Sequence, residues 1–139
     1  MAAQRTFALT AEVDVIRPFV NYVSRAENNT EAIMVEFARQ RGIGVTAMKV
    51  LGGDGQMSDD YDRAFRYALS VPGVQCALVG ASSVEEVRRA VKAAEDFRPL
   101  TEIEMKETIA LGRQLFESKS KKAELLRHHV SRDVGTLHA

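Results

Sequence analysis

Apolar and polar positions along the chain alternate between two rhythms at intervals of about thirty residues. The run VDVIRPF (Val13–Phe19) is short and β-branched, is interrupted at Pro18, and reads as a strand. After the polar stretch SRAENNT comes EAIMVEFARQRG, whose Ile33, Met34, Phe37 and Ala38 fall on one helical face. Asn29 or Thr30 is placed to cap that helix, and Gly42 sits where a glycine ends one. IGVTAMKV (Ile43–Val50) is a continuous apolar strand followed by the turn GGDG. Tyr61, Ala64, Phe65, Ala68 and Leu69 then recur at i, i+3, i+4, i+7 and i+8, and Pro72-Gly73 stops the helix they form. QCALVG (Gln75–Gly80) is a third strand, leading into a helix expected to turn Val84, Val87, Ala90, Val91 and Ala94 inward.

Strand starts at residues 13, 43 and 75 have the spacing of βα units joined by right-handed crossovers. Continuous apolar strands predict a parallel sheet covered on both faces. After Pro99, Thr101 and Glu104 have capping-box spacing and open a fourth helix, with Ile109 and Leu115 or Phe116 as anchors. The charged tail from Lys119 extends that helix before fraying. The fold class is therefore α/β, with three parallel βα units and a C-terminal helix, in a single domain over residues 1–139. Three parallel strands are few for a closed or doubly wound sheet. Open edges and an uncovered apolar face predict self-association, with a homo-oligomer as the expected state.

Composition narrows the function by exclusion. With 45% apolar and 27% charged residues, the 139-residue chain has the makings of a packed core. Lys plus Arg equals Asp plus Glu at 19 each, so no net field steers the protein to nucleic acid or anionic lipid. No apolar run approaches a membrane span, and MAAQRTFALTAEVD lacks the apolar centre of a signal peptide. Cytoplasmic residence is the expectation, and Asn28-Asn29-Thr30 is then a chance sequon. Cys76, the only cysteine, reads as a buried, inert thiol in an apolar strand. His128-His129 lacks a third ligand, and the Asp59-Asp60-Tyr61-Asp62 cluster reads as a helix start, so no metal site is expected.

Three segments, in order, resemble the C-terminal part of an aldo-keto reductase: GIGVTAMKVLGG, RYALSVPGV, and GASSVEEV with PLT following. The resemblance covers roughly residues 12 to 112 and leaves 113–139 as a helical charged tail. It implies strands six to eight of a TIM (βα)8 barrel that reduces carbonyls with NADP(H). Dinucleotide contacts are then implied along Lys49-Val50-Leu51-Gly52-Gly53 for the pyrophosphate, and at Gly80, Ser82 and Ser83 for the adenosine phosphate, with Glu86 near adenine. The family's Gln on the sixth strand is replaced by Arg17, its nicotinamide-stacking aromatic by Met48, and its Glu-Asn pair at adenine by Arg89-Ala90. The family's catalytic Asp, Tyr, Lys and His lie on its first four strands and have no counterpart here, so no catalytic residue is assigned.

The residues also admit plainer readings. Ser83 and Glu86 suffice as a helix cap, Gly52–Gly55 as a flexible turn, and Lys49 as a solvent-reaching lysine at the end of a strand. Two functions stay open from the sequence. One is a truncated aldo-keto-reductase-like relative of NADP(H)-dependent oxidoreductases that keeps part of a nucleotide site. The other is a non-catalytic oligomeric interaction module on the same scaffold. A third possibility is that the chain is a fragment whose remaining strands lie on a neighbouring reading frame.

Overall fold

The computed structural model describes residues 12–29, 31–53 and 57–135. Three short strands, β1 (Val15–Ile16), β2 (Gly44–Ala47) and β3 (Cys76–Ala77), form a parallel sheet in that order. Val15 pairs with Gly44 and Ile16 with Val45; Thr46 pairs with Cys76 and Ala47 with Ala77. Beyond β1 the chain stays alongside β2: the Met48 amide donates to the Pro18 carbonyl at 2.9 Å, and Val20 N–H to Met48 O at 3.0 Å. The α/β class and the parallel order agree with the sequence reading, although each strand is shorter than its apolar run.

Five α-helices accompany the sheet: α1 (Tyr22–Asn28), α2 (Glu36–Gln40), α3 (Tyr61–Ser70), α4 (Val84–Glu95) and α5 (Glu102–Gly135). A π-helical turn, Glu31–Val35, precedes α2, and a 3-10 turn, Ser58–Asp60, precedes α3. Helix α1 has no counterpart in the sequence reading, which took SRAENNT as a polar connection. It forms because Asn21 caps it, accepting from Val23 N–H at 3.1 Å and Ser24 N–H at 2.7 Å, while Tyr22 and Val23 are buried. Asn29 is not the cap of the next helix: at φ 50° it ends α1 in the left-handed region. Thr30 lies outside the described residues. Gly42, at φ +68°, is the turn glycine expected after α2.

Successive side chains point to opposite faces of a strand, and parallel partners share a face. Val20, Val45 and Ala47 therefore go down into a core with Val35, Ala38, Phe65 and Ala68 from the helices. The other face carries Val15, Phe19, Cys76 and Leu78, all exposed. Among the described residues the sheet is thus covered on one face, not two, and the Cys76 thiol is exposed rather than buried. The second departure is α4. Val84, Val87 and Val91 are 67%, 50% and 51% exposed, and only Ala90 and Ala93 of that helix pack against the core. The amphipathic period was correct, but among the described residues no further element covers the stripe.

One buried acid joins the helices. Glu31, at the start of the π-turn, accepts the Tyr67 hydroxyl on Oε1 at 3.0 Å, while Oε2 is buried with no hydrogen-bond partner. Burial raises the Glu31 carboxyl above its ordinary value, against the pull of its own backbone, of Tyr67 and of Arg25. A raised folded pKa contributes stability below the unfolded value, and that stability is lost as pH rises through the folded value. Tyr67→Phe removes the side-chain donor to this buried carboxyl, which is expected to cost about 1–3 kcal/mol. The loss should be larger above the raised Glu31 pKa, where the group is charged, than below it; urea unfolding across a pH series checks this.

Candidate cleft at the C-terminal ends of the strands

The chain leaves β2 through a strained residue. Lys49 sits at φ +57°, which a residue with a Cβ adopts at a cost of about 1–3 kcal/mol. Its carbonyl is held twice, by Asn21 Nδ2 at 2.9 Å and Gly52 N–H at 2.9 Å. Gly52, at φ +81°, completes the reversal without a Cβ to obstruct it. This turn faces the end of β3, and between them lies an open cleft of about 510 Å³ whose walls include Lys49, Leu51, Gly52 and Gly80. A neighbouring cleft of about 480 Å³ shares Leu51 and Gly80 and adds Tyr61, Ser82, Glu86 and Arg89.

Six of the seven expected binding residues, Lys49, Leu51, Gly52, Gly80, Ser82 and Glu86, thus line two adjoining clefts. Ser83 lines neither. It is the N-cap of α4, its Oγ accepting the Glu86 N–H at 3.2 Å. Two contributors stand outside the seven expected residues: Tyr61, and Arg89, which the sequence reading noted only as a departure at the adenine position. The Arg89 guanidinium lies 4.5 Å from the centroid of the Tyr61 ring, and the buried Tyr61 hydroxyl has no hydrogen-bond partner. Arg89 follows Glu86 by three residues and so shares its helix face, a signal that was readable. Tyr61 was readable only as a core position.

The donors at the junction are already engaged. Glu86 Oε2 accepts the Ser82 N–H at 2.6 Å and the Ser82 hydroxyl at 2.9 Å, one residue before the position of an ordinary capping box. These bonds hold the Glu86 carboxyl below its ordinary range, the backbone N–H first and the hydroxyl second. The carboxylate therefore stands where the resemblance puts a phosphate. Lys49 and Arg89 make no ion pair among the described residues, so the clefts carry two positive charges against one negative one.

No family model, curated protein or solved structure matches this chain. Among the described residues no group of three His, Cys, Asp or Glu is placed to hold a metal ion, and no helix is long and apolar enough to cross a membrane. His138 and the side chains of His128 and His129 lie outside the described residues.

Proposed function

We propose that this chain is an aldo-keto-reductase-like part-barrel. It takes the phosphate portion of a dinucleotide, NADP(H), across the C-terminal ends of β2 and β3, and it works in a homo-oligomer. The supporting observation is the joined cleft that gathers Lys49, Gly52, Gly80, Ser82 and Arg89 at the strand ends, where open parallel sheets take their ligands. The residues fit the group in part. Lys49 and Arg89 supply charge, and the glycines permit close approach of backbone. The Ser82 donors become free only when Glu86 swings out. A bound dinucleotide would supply a hydride, but the alkoxide so formed needs an acid. The nearest candidate, the Tyr61 hydroxyl, is buried and its pKa is raised by that burial. The chain's part in this reading is binding, not turnover.

Titrating NADPH with protein and following nicotinamide fluorescence tests this, since the chain has no Trp to confuse the signal. A saturable change is expected. Glu86→Gln should tighten binding about tenfold, the effect of removing one like charge close to a phosphate near the surface. Ser82→Asp should abolish it. A flat titration with both wild type and Glu86→Gln would sink the nucleotide reading.

The non-catalytic module is a second reading, favoured by the bare sheet face at Val15, Phe19 and Leu78 and by the valine stripe on α4. Under it, Leu78→Asp should shift sedimentation to the monomer while the NADPH titration stays flat throughout.

A further inference from the structure

The buried acid Glu31 stands at the start of the π-turn, and its contacts lead step by step to the strained turn at the cleft mouth. Tyr67 of α3 donates to Glu31 Oε1 at 3.0 Å and meets the Tyr22 ring edge-on at 5.7 Å. Tyr22 is the first residue of α1, directly after the cap Asn21. Asn21 caps α1 through Oδ1 and donates from Nδ2 to the Lys49 carbonyl at 2.9 Å. At the far end of α1, the left-handed Asn29 donates its N–H to the Arg25 carbonyl and accepts the Ile33 N–H. One end of α1 thus reaches Glu31 through Tyr67, and the other through the π-turn itself.

We propose that the protonated Glu31 carboxyl keeps α1 in place, which holds Lys49 left-handed through Asn21, and that ionisation of Glu31 releases the Lys49–Gly52 turn. A neutral carboxyl tolerates Oε2, the oxygen buried without a partner, but a carboxylate there lacks hydrogen bonds for its charge. The charge keeps Tyr67 and draws on Arg25, which already acts on it from the last turn of α1. Arg25 moving inward carries α1 with it, and Asn21 at the other end parts from Lys49. Coupling of this kind needs an element with two states, and Lys49 supplies one. It occupies a costly backbone conformation only while Asn21 Nδ2 and the Gly52 N–H hold its carbonyl. Freed from Asn21 it relaxes, and the wall of the cleft of about 510 Å³ changes shape.

Among the described residues two titratable groups act on Glu31, Arg25 from α1 and Tyr67 from α3. A guanidinium keeps its charge throughout, and burial raises the Tyr67 hydroxyl further above neutrality, so the proton that moves belongs to Glu31. Burial raises the Glu31 carboxyl, so the turn is held below that folded value and released as pH rises through it. Neither Ser82, Glu86 nor Arg89 takes part, so the switch stands whether or not a dinucleotide binds.

The test is a pH titration of the full chain by NMR, following the Glu31 carboxyl carbon together with the Lys49 and Gly52 amides. All three are expected to shift along one curve with one midpoint. Glu31→Gln is neutral at every pH and keeps an acceptor for Tyr67, so both amides should stay at their wild-type acid positions. Asn21→Ser keeps a helix cap but lacks the donor to Lys49. There Glu31 should titrate while the Lys49 and Gly52 amides no longer follow it. Amides that track pH equally in Glu31→Gln, or that still follow Glu31 in Asn21→Ser, would overturn the proposal. So would a wild-type Glu31 curve that leaves both amides in place, or a Glu31 carboxyl that does not titrate before the protein unfolds.

Discussion

Gly112→Ala is expected to destabilise the protein by about 3 kcal/mol or more, lowering the thermal midpoint by roughly 10 °C. A Cβ at this position would meet the Tyr22 carbonyl oxygen and stand 2.6 Å from its carbon. Those are backbone atoms of the first turn of α1, so no side-chain rotation relieves the clash. The helices must move apart. Tyr22 is buried, with its ring edge-on to Tyr67 at 5.7 Å between centroids, so displacing α1 also disturbs the core beneath it. Alanine favours a helix interior over glycine by about 1 kcal/mol, and the overlap outweighs that gain. Gly53 is the control: a Cβ there meets nothing within 4 Å, so Gly53→Ala should leave stability within about 0.5 kcal/mol. Urea unfolding of the three proteins decides it, and equal midpoints for Gly112→Ala and wild type would refute the close crossing.

That crossing also marks a limit of what the sequence disclosed. The 3.6-residue period located α3 and α4, turn residues Gly42 and Pro72-Gly73 ended α2 and α3, and a cap signal after Pro99 located α5. Thr101 and Glu104 form the reciprocal capping box that their spacing implied: Glu104 N–H reaches Thr101 Oγ1 at 3.2 Å and Thr101 N–H reaches Glu104 Oε2 at 2.8 Å. Helix α1 was not legible, since in seven residues its amphipathic period has almost no length in which to show. Exposure was not legible either. A pattern states which face is apolar, not whether anything arrives to cover it, and Val84, Val87 and Val91 were assigned inward for that reason.

The candidate site divides along the same line. Residues that follow each other in a turn, Lys49 to Gly52, are neighbours by covalent necessity, and a strand-to-helix step brings Gly80 and Ser82 together equally directly. The direction Glu86 turns is a choice among rotamers. Sequence spacing pointed to a capping box with Ser83, and the structure instead turns the Glu86 carboxylate onto Ser82. That single rotamer decides whether the junction offers its donors to a ligand. The plain helix cap and the phosphate site are thus two positions of one side chain, which is why Glu86→Gln separates them.

Arg66→Met is expected to cost about 2–4 kcal/mol, the second large effect. Arg66 lies on α3 among core residues with its side chain only 9% exposed, a position the apolar period left unassigned. Its Nη1 and Nη2 each donate to a Glu104 carboxylate oxygen at 3.0 Å, and Nε donates to the Arg98 carbonyl at 3.1 Å. One guanidinium therefore fixes the start of α5 and the connection before it against α3. Methionine fills much of the volume but leaves the Arg98 carbonyl and Glu104 without their donor. Lysine should rescue little, since a point charge cannot reproduce the two-pronged geometry. Arg66, with help from the Thr101 N–H, holds the Glu104 carboxyl down to about 2 from its ordinary 4.5. A depressed folded pKa contributes stability above the unfolded value, and that contribution is lost as pH falls from about 4.5 toward about 2. In Arg66→Met that part of the acid-induced loss should shrink, so the mutant and wild-type unfolding midpoints should converge on acidification. Midpoints that stay parallel from pH 7 to pH 2.5 would show that the Arg66–Glu104 pair contributes nothing to the fold.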